Sequence, residues 1–388
     1  SMGWNDWYAY YDRITDKDVR KAADILVSSG MADVGYAYVN IDDCWANRKK
    51  GTGGYDNADN GRKGEERDAH GNILPNSYFP DMKKLTGYIH AKGLKAGIYS
   101  SPGPYTCGGY VGSYQHEAQD AKQFADWGFD FLKYDWCSYG KIAGKNPDLA
   151  AYKKPYLLMG DLLKHQDRDI LLNLCQYGMG NVWEWGAEVG GQSWRTSGDL
   201  GFSLNKIFDV AIKNAGHRQY SKPGSWNDPD YIQIGYIGNA NKEGIAEETK
   251  MPPNMQYAYM SLWCLMAAPL FYSGDMEHLD EFTLNILCNP EVIAVDQDPL
   301  GKCGKVIMHN DSTFLMVKNM ADGSKSLGLF NRNKNPMEVT VTWNELQISG
   351  AQKLRDLWRE KEIGIYRHSF KTTVPAQGVV LISIHKIK

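Results

Sequence analysis

Apolar and polar positions follow a repeating two-part rhythm over the first three quarters of the chain. Thr15 and Asp18 form a capping box, after which Val19, Ala22, Ala23, Leu26 and Val27 recur on one helical face until Gly30 ends the turn. A short apolar run, Tyr36 to Ile41, then reads as a buried strand. The unit recurs: Met82, Leu85, Tyr88 and Ile89 form a stripe closed by Gly93, and Leu94 to Tyr99 follows as a strand. Ala118, Ala121, Phe124 and Ala125 lead through Gly128 to the strand Phe129 to Tyr134. Further strands are predicted at Ile170 to Cys175, Ser193 to Thr196, Ser225 to Trp226 and Leu270 to Ser273, with Gly3 to Asn5 opening the series. Eight strands alternating with helices predict a closed (β/α)8 TIM barrel of the α/β class. Its chemistry is expected at the C-terminal ends of the strands.

Beyond about Asp298 the rhythm changes to short runs separated by turn residues such as Asp322-Gly323 and Asn335-Pro336. The runs are Thr313 to Lys318, Ser326 to Asn331, Met337 to Trp343, Gln352 to Asp356 and Val379 to Ile384. The expectation is a catalytic barrel over 1–298 and an antiparallel β domain over 299–388. Asn47 to Pro75, rich in Gly, Asn and charge, is predicted as a long loop overhanging the barrel mouth.

Composition narrows the chemistry. With 388 residues the chain exceeds what a single core usually serves, in keeping with two domains. Lys+Arg 43 against Asp+Glu 46 leaves a net charge of -3, with no basic stripe for a nucleic-acid partner. No apolar stretch suits a membrane span. The nine histidines include no HxH or HxxxH pair, and the seven cysteines form no CxxC motif, so a metal centre or cofactor is not expected. Neither a P-loop nor a GxSxG elbow occurs. Asp56 to Gly61 has the flavour of a calcium loop, but Ala58 stands where a ligand oxygen belongs, which favours a solvated loop. Twelve Trp and 24 Tyr supply aromatic faces suited to sugars.

The predicted strand ends collect carboxylates: Asp42-Asp43, Lys133-Tyr134-Asp135, Arg195 through Asp199, Asp228 with Asp230, and Asp275. Asp275 and Asp228 also suit helix N-caps. Many carboxylates without a histidine cluster suit glycoside hydrolysis by a pair of acids. Mg²⁺ is the competing reading, and Lys133, on the same strand face as Asp135, would repel such an ion.

These residues carry a resemblance. Gly3-Trp4-Asn5-Asp6-Trp7, Asp42-Asp43-Cys44-Trp45, Lys133-Tyr134-Asp135, Ser193-Trp194-Arg195 through Asp199, and Asn227-Asp228-Pro229-Asp230, continuing to Arg355-Asp356-Leu357-Trp358, resemble family-27 glycoside hydrolases. These are the α-galactosidases (melibiases) and α-N-acetylgalactosaminidases. The resemblance implies a TIM barrel followed by an antiparallel β-sandwich, with Asp135 as nucleophile and Asp199 as acid/base. It implies that Asp42 and Asp43 bind the 4- and 6-hydroxyls, Lys133 the 3- and 4-hydroxyls, and Arg195 and Asp230 the 2- and 3-hydroxyl side. Trp7 and Tyr99 would line the sugar. Cys175 and Tyr177 would close the pocket at the 2-position. Cys107 and Cys137 fall where the family has a disulfide beside the site, so Cys107 borders the sugar. Their pairing would accompany a secreted or periplasmic location, and two reduced thiols a cytosolic one.

Four departures stand out. Cys44 lacks the family's usual partner, because Asp12 stands near that position, and is expected to remain a thiol. Tyr231 replaces the usual Met after Asp-Pro-Asp and changes the pocket wall. Asn47 to Gly64 is longer than usual, and Gln176 replaces Glu beside Tyr177. The expected activity is an exo-acting, retaining α-galactosidase on a galactose-terminated oligosaccharide or glycoconjugate, with the chain's homo-oligomeric state left open. The alternatives are an α-N-acetylgalactosaminidase, a β-L-arabinopyranosidase, or a galactoside-binding pseudo-enzyme, the last disfavoured because both Asp135 and Asp199 are present.

Overall fold

The computed structural model describes residues 1–49, 60–201, 204–238 and 246–387. The core of the first three quarters of the chain is a parallel sheet built from strands β1 (Met2–Asn5), β2 (Tyr38–Asn40), β3 (Lys95–Ser100), β4 (Phe131–Asp135), β5 (Leu171–Cys175), β6 (Ser193–Arg195), β7 (Trp226–Asp228) and β8 (Leu270–Tyr272).

 Neighbouring strands pair in chain order, with β8 beside β1. The chain just past β7 pairs in parallel with β8 through Ile232 and Tyr272, which closes the ring. The sheet is therefore the barrel that the strand count predicts. Each strand is short and buried, in keeping with parallel strands covered on both faces.

Several elements match their sequence signals closely. The helix Asp16–Ser28 starts on Thr15, whose side chain accepts from the Asp18 amide while Asp18 accepts back from the Thr15 amide. Val19, Ala22, Ala23 and Leu26 are buried, whereas Val27 is exposed at the edge of the stripe. In the helix Glu117–Trp127, Ala121 and Phe124 face inward but Ala118 does not. Asp120 is buried in its place and pairs with Arg67 at 2.6 Å. The predicted strand Tyr36 to Ile41 shortens to Tyr38–Asn40, and the strand placed at Ser225 to Trp226 runs instead from Trp226 to Asp228.

Contact density divides the chain into two compact units. The first holds 1–201, 230–249 and 271–280, and the second 202–229, 250–270 and 281–388. Inside the first, Tyr8, Tyr11, Tyr38, Phe131, Tyr231 and Phe271 form an aromatic core. The second contains a six-stranded antiparallel sheet and a separate pair, Met337–Thr342 with Ser369–Val374. Leu315, Leu327, Leu329, Val341, Leu354 and Phe370 lie in its core. Three strands there, Lys305–Met308, Lys361–Tyr366 and Ser369–Val374, were not predicted from the sequence. No helix among the described residues is long and apolar enough to cross a membrane. Residues 50–59 lie outside the described residues, and with them most of the Asp56 to Gly61 stretch and part of the predicted long loop Asn47 to Pro75.

Candidate active site

The alternation of β4 builds the centre of the site. Phe131, Lys133 and Asp135 share one face of the strand; Phe131 belongs to the aromatic core, and the two charged residues follow it toward the strand's C-terminal end. Tyr99 is in register with Lys133 on β3, and Cys175 with Asp135 on β5. A cavity forms at these strand ends, lined by Trp7, Tyr8, Asp42, Asp43, Tyr99, Cys107, Lys133, Asp135, Tyr177, Arg195, Asp199, Asp230 and Tyr231. All of these residues belong to the first compact unit.

Lys133 donates to Asp42 Oδ2 at 2.8 Å, and the same oxygen accepts from Asn5 Nδ2 at 3.0 Å and from the Tyr231 hydroxyl at 3.1 Å. Burial alone would lower the Lys133 pKa, but Asp42 first, then Tyr231, Cys175 and Asp135, outweigh it and hold the pKa well above its ordinary value. Asp43 accepts from the Gly108 amide at 2.7 Å and from the Cys44 amide at 2.7 Å, yet burial still pushes it up to about 7.

Asp135 is held at both oxygens. The Tyr177 hydroxyl donates to Oδ1 at 2.5 Å and the Tyr99 hydroxyl to Oδ2 at 3.0 Å. Burial raises its pKa, opposed by Lys133 and by the Tyr177 hydrogen bond. The same two hydroxyls also rest against the disulfide between Cys107 and Cys137: Tyr99 is 3.2 Å from Cys137 Sγ and Tyr177 is 3.6 Å from Cys107 Sγ. Cys44 is buried and not cross-linked, as expected.

Arg195 is almost fully buried and bridges two acids, reaching Asp199 Oδ1 at 3.1 Å and Asp230 Oδ2 at 3.3 Å. The Asp199 side chain is 62% exposed, in contrast to Asp135, which is buried. Asp230 adopts φ 92°, a left-handed conformation uncommon outside glycine, and accepts from the Leu200 amide, the Tyr231 amide and the Tyr8 hydroxyl.

The structure therefore gathers thirteen of the fourteen predicted site residues: twelve line the cavity, and Cys137 is bonded to Cys107 at its edge. Cys175 is buried one layer back, 3.9 Å from Arg195 Nη1, and does not line the cavity. Asp275 caps the turn Met276–His278, as expected, whereas Asp228 is the last residue of β7 itself. Tyr8 was missed by the sequence reading. Its only signal was its position in an aromatic cluster just after β1.

Comparison with known proteins bears on this arrangement. The family model described as alpha galactosidase A matches residues 2–298, and the alpha galactosidase C-terminal beta sandwich domain matches 310–384. The chain is 36% identical to an alpha-galactosidase of Oryza sativa subsp. japonica, over 92% of this chain and 78% of the relative. It is 34% identical to alpha-galactosidase A of Cellvibrio japonicus, over 99% of this chain and 91% of the relative. Alpha-galactosidase I from Mortierella vinacea superposes with a TM-score of 0.85 at 29% identity, covering 99% of this chain and 96% of that one.

Proposed function

The chain belongs to the alpha-galactosidase (melibiase) family of glycoside hydrolases, and on that premise we propose an exo-acting, retaining enzyme that removes terminal α-D-galactose by double displacement. The observation that carries the mechanism is the contrast between two carboxylates of one cavity. Asp135 is buried and held at both oxygens, as a nucleophile needs, and Asp199 is open to solvent beside Arg195, as a proton shuttle needs.

In the first step a lone pair of Asp135 attacks the anomeric carbon. The glycosidic bond breaks with its electrons on the leaving oxygen, which takes a proton from Asp199. In the second, Asp199 takes a proton from water, the water oxygen attacks the anomeric carbon, and the electron pair of the ester bond returns to Asp135. Asp42 and Asp43 are assigned to the 4- and 6-hydroxyls, Lys133 to the 3- and 4-hydroxyls, and Arg195 with Asp230 to the 2- and 3-hydroxyl side. Trp7 and Tyr99 line the ring. Tyr177, with Cys175 beside it, closes the 2-position against an acetamido group, which disfavours α-N-acetylgalactosaminides. The substrate is a galactose-terminated oligosaccharide or glycoconjugate.

The same reading divides the chain into a catalytic barrel, 1–298, and a β-sandwich domain, 299–388, a division supported by the two matched family ranges. It also places the protein outside the cytosol, secreted or periplasmic, supported by the Cys107–Cys137 bond, since such bonds persist in oxidising compartments.

The test is hydrolysis of an aryl α-galactoside followed by NMR, with α-galactose expected as first product. Asp135→Gly with azide should yield β-galactosyl azide, and Asp199→Ala with azide the α-azide. β-Galactose as first product, or the two azide anomers exchanged between the variants, overturns the assignment.

A further inference from the structure

Tyr177 is held in an unusual backbone state. Its φ is 64°, in the left-handed region that a large aromatic residue enters only at a cost, one found where the surrounding structure needs the residue there. The next residue, Gly178, also has positive φ, and the Gln176 side chain ties the turn by donating to the Met179 carbonyl at 2.7 Å. What this turn delivers is a hydroxyl. It reaches Asp135 Oδ1 at 2.5 Å, a shorter contact than the one Tyr99 makes to Oδ2 at 3.0 Å. The Arg195 guanidinium lies 6.0 Å from the ring centroid, and the Cys107 sulfur borders the hydroxyl. Burial first, and then the charge of Asp135, raise the Tyr177 pKa, so the hydroxyl remains a proton donor.

We propose that the Tyr177 hydroxyl is a catalytic group of the second displacement, stabilising Asp135 as it leaves the galactosyl-enzyme. The inference rests on the retaining mechanism above and concerns how its two steps are balanced. Asp135 Oδ2, the oxygen with the longer contact, forms the bond to the anomeric carbon. Oδ1 becomes the carbonyl oxygen of the resulting ester and keeps the Tyr177 hydrogen bond. When water displaces the sugar, the ester bond's electron pair returns to the carboxylate, and the hydrogen bond strengthens as charge builds on Oδ1. In the first step the charge on Asp135 falls instead, and the same hydrogen bond holds back the attack. Tyr177 therefore makes Asp135 a better leaving group and a slightly poorer nucleophile. A ring without a hydroxyl would close the 2-position equally well but would not do this.

The experiment separates the two half-reactions. The wild-type enzyme and Tyr177→Phe are treated with a fluorinated galactosyl fluoride that forms a long-lived galactosyl-enzyme, whose formation and decay are followed by mass spectrometry. In Tyr177→Phe, decay should slow ~10- to 100-fold while formation changes by less than about 3-fold. With an activated aryl galactoside the variant should also show a burst of phenol and a lower KM. Equal slowing of both half-reactions, or no slowing of decay, overturns the proposal. Tyr99→Phe, which removes the donor from Oδ2, serves as the comparison. If it alone slows decay, the roles assigned to the two tyrosines are wrong. Absence of any galactosyl-enzyme in the wild type would instead refute the retaining mechanism, so the two failures are distinguishable.

Discussion

At the scale of single residues, Asp42 shows how charge and hydrogen bonding are balanced in the site. One of its oxygens accepts from Lys133, Asn5 and Tyr231, and the Lys133 ammonium also lies 4.9 Å from the Tyr231 ring centroid. A methionine at 231, the family's usual residue, could not donate this hydrogen bond. Tyr231→Phe keeps the ring and removes the donor. It should free an acceptor site on Asp42 without touching either catalytic carboxylate, so KM for an aryl galactoside is expected to change by about 3- to 10-fold with kcat nearly unchanged. A fall in kcat at constant KM would place Tyr231 in the chemical step instead. The sequence identified Asp42, Lys133 and Tyr231 individually, but they are brought together only by the barrel, and the cost or benefit of the contact depends on that closure. Tyr8 is the counterexample. Nothing in its local sequence distinguishes it from the other aromatics after β1, and its role follows only from its hydroxyl meeting Asp230 at 2.9 Å.

At the scale of elements, legibility depended on whether an element has two different faces. The helix Asp16–Ser28 shows a capping box and one buried stripe, and both were readable. The helix Pro253–Met266 is buried on nearly every side, so it carries no periodic contrast and was not recognised. Lys361–Tyr366 was missed for the opposite reason, since it pairs with Gln352–Asp356 at the sheet edge and none of its residues is fully buried, Ile363 and Tyr366 packing only partly against the core. Leu149–Lys164 was also missed. It contains Pro155, and its inward face includes Gly160, where a Cβ would lie 2.0 Å from the Val189 carbonyl oxygen. Replacing a mid-helix glycine by alanine ordinarily stabilises by about 1 kcal/mol. Here the contact with backbone should reverse the sign, and Gly160→Ala is expected to destabilise by roughly 1 to 3 kcal/mol in urea unfolding. A stabilised variant would show that Val189 moves aside at little cost.

At the scale of the whole molecule, the buried acids set how stability responds to pH. Burial is the largest cause raising Asp6, Asp43, Asp135, Asp230 and Asp296, and for Asp43 and Asp296 it pushes the pKa to about 7. The sign follows from proton binding. Between the ordinary aspartate value near 3.8 and about 7, the folded chain holds protons on these two groups that the unfolded chain has released. Wherever the folded state binds more protons, stability falls as pH rises. These two acids therefore cost nothing near pH 4, and their destabilisation grows until about pH 7 and then levels off. None of this could be read from the sequence, because an aspartate at a strand end is equally compatible with a solvated carboxylate or a helix cap. The melting temperature is expected to decline from about pH 5 to pH 7 and then to level off. Asp296→Asn, which removes one of these titrations, should make the decline shallower and raise the melting temperature at pH 7.5 more than at pH 5. A wild-type melting temperature that rises steadily from pH 5 to 8, or an Asp296→Asn difference that is the same at both pH values, would show that burial does not control these protons.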